Sequence, residues 1–130
     1  MEASKPVLDI LRPLGLTSKY IGVVQLSMAV QLLLENPERI FAVKDGLYSV
    51  IAERFSVQWK TVERNIRTIT QLAWEKHPDR LTALMGYPLS KRPTTSEFIE
   101  MVWQRTSEMG QEKKSVETES APVLPTGVLG

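Results

Sequence analysis

Apolar residues recur at helical spacing through most of the chain. Tyr20, Val23, Val24, Leu26, Val30, Leu33 and Leu34 stand largely three or four apart, as the buried stripe of a helix does. Leu47, Val50, Ile51 and Phe55 repeat that spacing. Proline and glycine punctuate the runs. Pro13-Leu14-Gly15 closes a short opening segment at residues 7–11, and Asn36-Pro37 closes a longer one. Asp45-Gly46, His77-Pro78, Gly86-Tyr87-Pro88 and Arg92-Pro93 mark later breaks, because proline removes a donor and disfavours helix in the residue before it. Strand signals are weak, since no Asn-Gly or Asp-Gly turn lies between two alternating runs. The pattern predicts an all-α fold of about six helices.

The end of the chain has a different character. Thr94, Thr95 and Ser96 offer N-caps ahead of an apolar set of Phe98, Ile99, Val102 and Trp103. Beyond residue 107 the chain is mostly polar and aperiodic, which predicts a disordered tail carrying one short apolar motif, Val123-Leu124-Pro125. The expected organisation is an N-terminal arm at 1–6, a helical domain at 7–106 and the tail at 107–130.

Composition narrows the function. A chain of 130 residues is the size of one domain, and 42% hydrophobic with 24% charged residues excludes wholesale disorder. Without cysteine there is no disulfide scaffold, thiolate metal site or cysteine nucleophile. The one histidine, His77, argues against a histidine triad or a multi-histidine zinc site, and its place before Pro78 suits a helix-end or surface role. Glu97 and Glu100 share a helical face but read as a solvated pair, and no glycine-rich phosphate loop occurs. These absences predict a protein that is not an enzyme and needs no cofactor, metal or small-molecule substrate. The first ten residues lack a signal-peptide pattern, and the apolar stretch at 21–34 is interrupted by Gln25, Ser27 and Gln31, short of the ~20 residues of a membrane span. A cytoplasmic protein with no membrane partner is expected.

The informative stretch is 47–74, LYSVIAERFSVQWKTVERNIRTITQLAW. It reads as a short helix at about 47–55, a polar turn at Ser56 and a longer helix at about 59–76, the outline of a helix-turn-helix. At about 100° per residue, Arg64, Arg67 and Gln71 return to within about 40° of Lys60. Val62, Ile66, Ile69 and Ala73 fall on the opposite side, between about 180° and 240°. Glu63 flanks the polar stripe on one edge, and Thr61 and Thr68 border the other.

That stripe has a chemistry suited to the DNA major groove. Arginine can donate a fork to guanine O6 and N7, and glutamate can accept from the cytosine N4 amine. Lysine, threonine and glutamine can hold phosphates and fix register. Residues 44–92 hold nine Lys and Arg against five Asp and Glu, so positive charge concentrates here in a chain of net +1. Pattern alone leaves a second reading open, a solvated amphipathic face with Glu63 ion-paired to a neighbouring arginine. Trp59, Trp74 and Trp103 read as core or staple residues rather than base-stacking platforms.

The run IAERFSVQWKTVERNIRTITQLAW resembles the DNA-binding effector domain of the stage-zero sporulation response regulator, the master sporulation transcription factor of endospore-forming bacteria. GLTSKYIGVVQLSMAV and LMGYPLSKRPTTSEFIEMV extend the resemblance to roughly residues 7–106. The resemblance implies a six-helix domain whose fourth helix enters the major groove of a short asymmetric promoter box. It implies base contacts from Glu63 and Arg64 and a further DNA contact from Arg67, while the wheel and side-chain chemistry point to flanking or phosphate contacts from Lys60, Thr61, Thr68 and Gln71 beside Arg67. Thr61 and Thr68 stand where the family typically has arginine and histidine, and Lys60 where it has serine, so a shifted base preference at the box edge is expected.

Family members carry a receiver domain with a phosphorylated aspartate. Asp9 lies inside a helical pattern and is no candidate phosphoacceptor, so the resemblance implies either an excised effector domain or, the favoured reading, a natural stand-alone relative. The expected partner is double-stranded DNA in the nucleoid, bound as a homodimer on tandem boxes, with RNA polymerase as a further contact. The alternative is a protein interaction module that docks on the full-length regulator or the polymerase without reading DNA.

Overall fold

The computed structural model describes residues 3–120, with side chains as far as Gly110. Six α-helices form the described fold: α1 (Lys5–Leu11), α2 (Ile21–Glu35), α3 (Ser49–Phe55), α4 (Trp59–Lys76), α5 (Pro78–Met85) and α6 (Thr95–Ser120). No strand occurs among the described residues.

The axis of the fold is α2, which is buried on nearly every side. Val23, Leu26, Ala29, Val30 and Leu33 are all but inaccessible, and even Gln25 and Ser27 lie inside. Both polar residues have partners. Gln25 Oε1 accepts from Asn65 Nδ2 of α4 at 3.0 Å, and Ser27 Oγ accepts from the Ser4 amide at 2.8 Å. The second bond ties Ser4 to α2, and α1 opens at the next residue, Lys5, with Pro6 in its first turn. Helix α4 crosses α2 so closely that a Cβ at Gly22 would collide with the Asn65 carbonyl. Glycine is required there by the contact, not by backbone conformation.

Two expectations need correction. Asp45-Gly46 does not break the chain: Pro37–Ala42 forms 3₁₀ turns, and Lys44–Tyr48 is a π-helical turn that runs directly into α3. The cause is tertiary. Arg39 donates from its guanidinium to the Gly46 carbonyl at 2.8 Å, and a Cβ at Gly46 would stand only 3.3 Å from the Arg39 carbonyl oxygen. Second, α6 continues past residue 107, the expected start of a tail, to Ser120. Residues 111–120 contain neither glycine nor proline and are rich in glutamate and lysine, which propagate a helix already nucleated upstream. Val123-Leu124-Pro125 lies outside the described residues.

The remaining joints follow local rules. Gly86 ends α5 with φ +87°, and the Arg105 guanidinium covers the Leu84 carbonyl left open there, at 2.7 and 3.2 Å. Helix α6 starts with a reciprocal capping box: Thr94 Oγ1 accepts from the Glu97 amide at 3.1 Å, and Glu97 accepts from the Thr94 amide at 2.8 Å. Glu97 is thus a capping residue rather than half of a solvated glutamate pair. Phe98, Ile99 and Val102 then carry α6 into the core. Among the exposed apolar side chains Phe41 stands out at 87% exposure.

Candidate nucleic-acid interface

Helices α3 and α4 are joined by Ser56, Val57 and Gln58, with Ser56 in the left-handed region at φ 55°, ψ 44°. The Ser56 and Val57 amides close α3 on the Glu53 and Ala52 carbonyls, at 3.3 and 3.0 Å. This tight turn turns the chain into α4. Trp59, its first residue, stacks on Tyr48 with ring centroids 6.3 Å apart and planes 7° from parallel. Lys44 Nζ stands 5.0 Å from the indole centroid and Lys60 Nζ 6.0 Å. Trp59 is therefore a half-buried staple between the two helices, and Trp74 and Trp103 pack against the core edge.

The two opposed faces of α4 are present as expected. Val62, Ile66, Ile69 and Ala73 are at most 1% exposed, while Lys60, Arg64, Arg67 and Gln71 are all exposed along the other side. Thr70 is also buried, its hydroxyl donating back to the Ile66 carbonyl at 2.9 Å. Burial of four apolar side chains on one face holds α4 in place, so the other face needs no internal partner to be stable.

The stripe residues differ in what already holds them. Arg64 is exposed and makes no ion pair or side-chain hydrogen bond among the described residues, and the same is true of Lys60. Arg67 pairs with Glu63 at 3.0 Å, one turn apart. Glu63 is half-buried, and its second oxygen accepts from Thr95 Oγ1 of α6 at 3.2 Å. Thr61 is half-buried, and the exposed Thr68 turns its hydroxyl back onto the Arg64 carbonyl at 2.9 Å. Gln71 donates to Glu75 at 2.7 Å and accepts from Arg92 at 2.7 Å.

Arg92 is thus a site residue that sequence reasoning missed. It comes from the α5–α6 loop, 21 positions away, and with Lys91 it sets two more cations beside the far end of α4, around a groove lined also by Trp74 and Glu75. Its only sequence signal is the Lys91-Arg92 doublet, which does not say where the loop lies. Thr95 is another such site residue: in the sequence it offers only a cap, and in the fold its hydroxyl reaches Glu63, 32 positions away.

Tyr48, under the start of α4, shows the electrostatics of the site. Its phenol is pushed up from 10.0 to about 12, first by burial and then by the Glu63 carboxylate, with Ser96 and Arg67 pulling the other way. Among the described residues no cluster of His, Asp and Glu could hold a metal ion, and no helix is long and apolar enough to cross a membrane.

An exposed row of arginine and lysine on the second helix of a helix-turn-helix, fixed by a buried opposite face, has the shape and charge that suit a groove of nucleic acid. Residues 7–106 match the family described as sporulation initiation factor Spo0A C terminal.

Proposed function

From membership of the chain in the Spo0A C-terminal family, DNA-binding effector domains of a sporulation regulator rather than enzymes, we propose that it is a sequence-specific transcriptional regulator with α4 as its reading helix. The observation that carries this is the exposed stripe of Lys60, Arg64, Arg67 and Gln71 opposite a buried face. Arg64, the arginine on that stripe without an internal partner, donates to guanine, and Glu63 accepts from a neighbouring cytosine. Lys60, Thr61, Arg67, Thr68 and Gln71 hold phosphates or flanking groups and set the register. Arg92, bonded to Gln71, extends the same cationic surface.

Double-stranded DNA is the partner, taken up by two copies on tandem boxes and followed by contact with RNA polymerase. The place of action is the cytoplasm, at the nucleoid.

The test is a gel-shift comparison of the intact protein with Arg64→Ala on a family-type promoter box. Loss of a forked base contact costs ~1–3 kcal/mol of binding and relaxes specificity at one base pair. Wild-type affinity also falls steeply with salt, because each neutralised phosphate releases counterions. Equal affinity of the two proteins, or no DNA affinity at low salt, counts against the reading.

A further inference from the structure

We propose that Thr95, the first residue of α6, sets the base preference of the domain by fixing the Glu63 carboxylate. The inference rests on the reading that Glu63 accepts from a base. A carboxylate offers about four acceptor positions. Arg67 occupies one on the first oxygen and Thr95 Oγ1 one on the second, at 3.0 and 3.2 Å. Two positions therefore stay open for a cytosine amine while the group is held.

The two holders are not equivalent. Arg67 belongs to the same helix, its side chain is 45% exposed, and a pair of this kind one turn apart is loose. Thr95 is 8% exposed and belongs to another helix. Its backbone is set by the Thr94–Glu97 capping box, and Phe98 and Ile99 beyond it are fully buried. A hydroxyl on so rigid a mount gives the Glu63 carboxylate a fixed aim from outside α4, which Arg67 cannot do. Discrimination between bases depends on that aim, since a misplaced acceptor meets a wrong base nearly as well as the right one. Thr95 is a positioning residue, not a DNA contact.

The experiment measures base preference. Bound sequences are selected from a random DNA pool, and matched boxes are competed against single-base changes. The proteins are wild type, Thr95→Val, Thr95→Ser, Thr95→Ala and Glu63→Ala, each checked for folding by thermal melting. Wild type is expected to discriminate at the Glu63 position by roughly tenfold, and Glu63→Ala to lose this. Thr95→Val, which keeps the shape and removes the donor, is expected to lose at least about a threefold part of it. Its preference at other positions and its salt dependence stay as in wild type, and Thr95→Ser restores the discrimination. If Thr95→Val does not fold, the contrast of Thr95→Ala with Thr95→Ser decides. Wild-type discrimination in Thr95→Val or Thr95→Ala, together with its loss in Glu63→Ala, overturns the role of Thr95. Wild-type discrimination in Glu63→Ala overturns the reading of Glu63 itself.

Discussion

Helices α2 and α4 pack against each other, joined by the Gln25–Asn65 bond, but they give up very different shares of their surface. From Gly22 to Val30 only Met28 in α2 escapes full burial, and two polar side chains there are buried with partners. In α4 a narrow set of Val62, Ile66, Ile69, Thr70 and Ala73 is buried and the opposite face stays in water. A helix buried on nearly every side is committed to the core. A helix held by one face keeps the other for a partner, so substitutions in the two should separate stability from binding.

The largest expected effect on stability belongs to the contact itself. Gly22→Ala places a methyl group against the Asn65 carbonyl and forces α2 and α4 apart. Overpacking of this kind costs about 1–3 kcal/mol, to be read as a lower denaturation midpoint, whereas Arg64→Ala should leave that midpoint unchanged. A tolerated Gly22→Ala would mean that the crossing is looser than the structure shows.

A smaller effect of opposite sign is expected in the turn that aims α4. Ser56 holds a left-handed conformation that suits glycine, so Ser56→Gly should stabilise by up to about 1 kcal/mol in thermal melting, with DNA affinity kept. A loss of stability would show that the serine side chain contributes more than its backbone costs.

The smallest effect is silent at neutral pH. Tyr48 has its pKa raised from 10.0 to about 12, so the neutral phenol is favoured in the folded state. Its contribution is fully present below pH 10 and is lost as pH rises through about 12. In a spectrophotometric titration of the folded protein, one of the three tyrosines should ionise later than the others, and Tyr48→Phe should remove that late phase. Three tyrosines titrating together would contradict the burial of Tyr48 beneath α4.

The comparison also explains what could be read from the chain. The faces of α4 were legible because its apolar residues repeat every three or four positions on one side only, and every stripe residue stands exposed as expected. The Thr94 cap was legible for the same reason, since a capping box is local. Leu34 fits the apolar repeat of α2 yet is exposed, because α2 is apolar nearly all round and its repeat does not say which side faces water, and Tyr20 is exposed because it stands ahead of the helix as its N-cap. The turns between Pro37 and Tyr48 depend on Arg39 reaching Gly46, and periodicity carries no trace of that bond. On the wheel Glu63 belongs to the edge of the stripe, with a neighbouring arginine as the one partner in its reach, and Gln71 to the stripe itself. Their partners Thr95 and Arg92 lie 32 and 21 residues away, and a helical wheel sees only its own helix.

The staple at Trp59 has a consequence for observation. An indole stacked on Tyr48, with Lys44 and Lys60 ammonium groups within 6.0 Å of its centre, sits in an electric field that those cations set. Under the proposed reading, in which Lys60 holds a phosphate, DNA binding is expected to draw that ammonium group off the ring and change the field. Helix α4 therefore carries a native fluorophore at its leading end, and with Trp74 and Trp103 replaced by phenylalanine its emission is expected to report DNA binding without any attached dye.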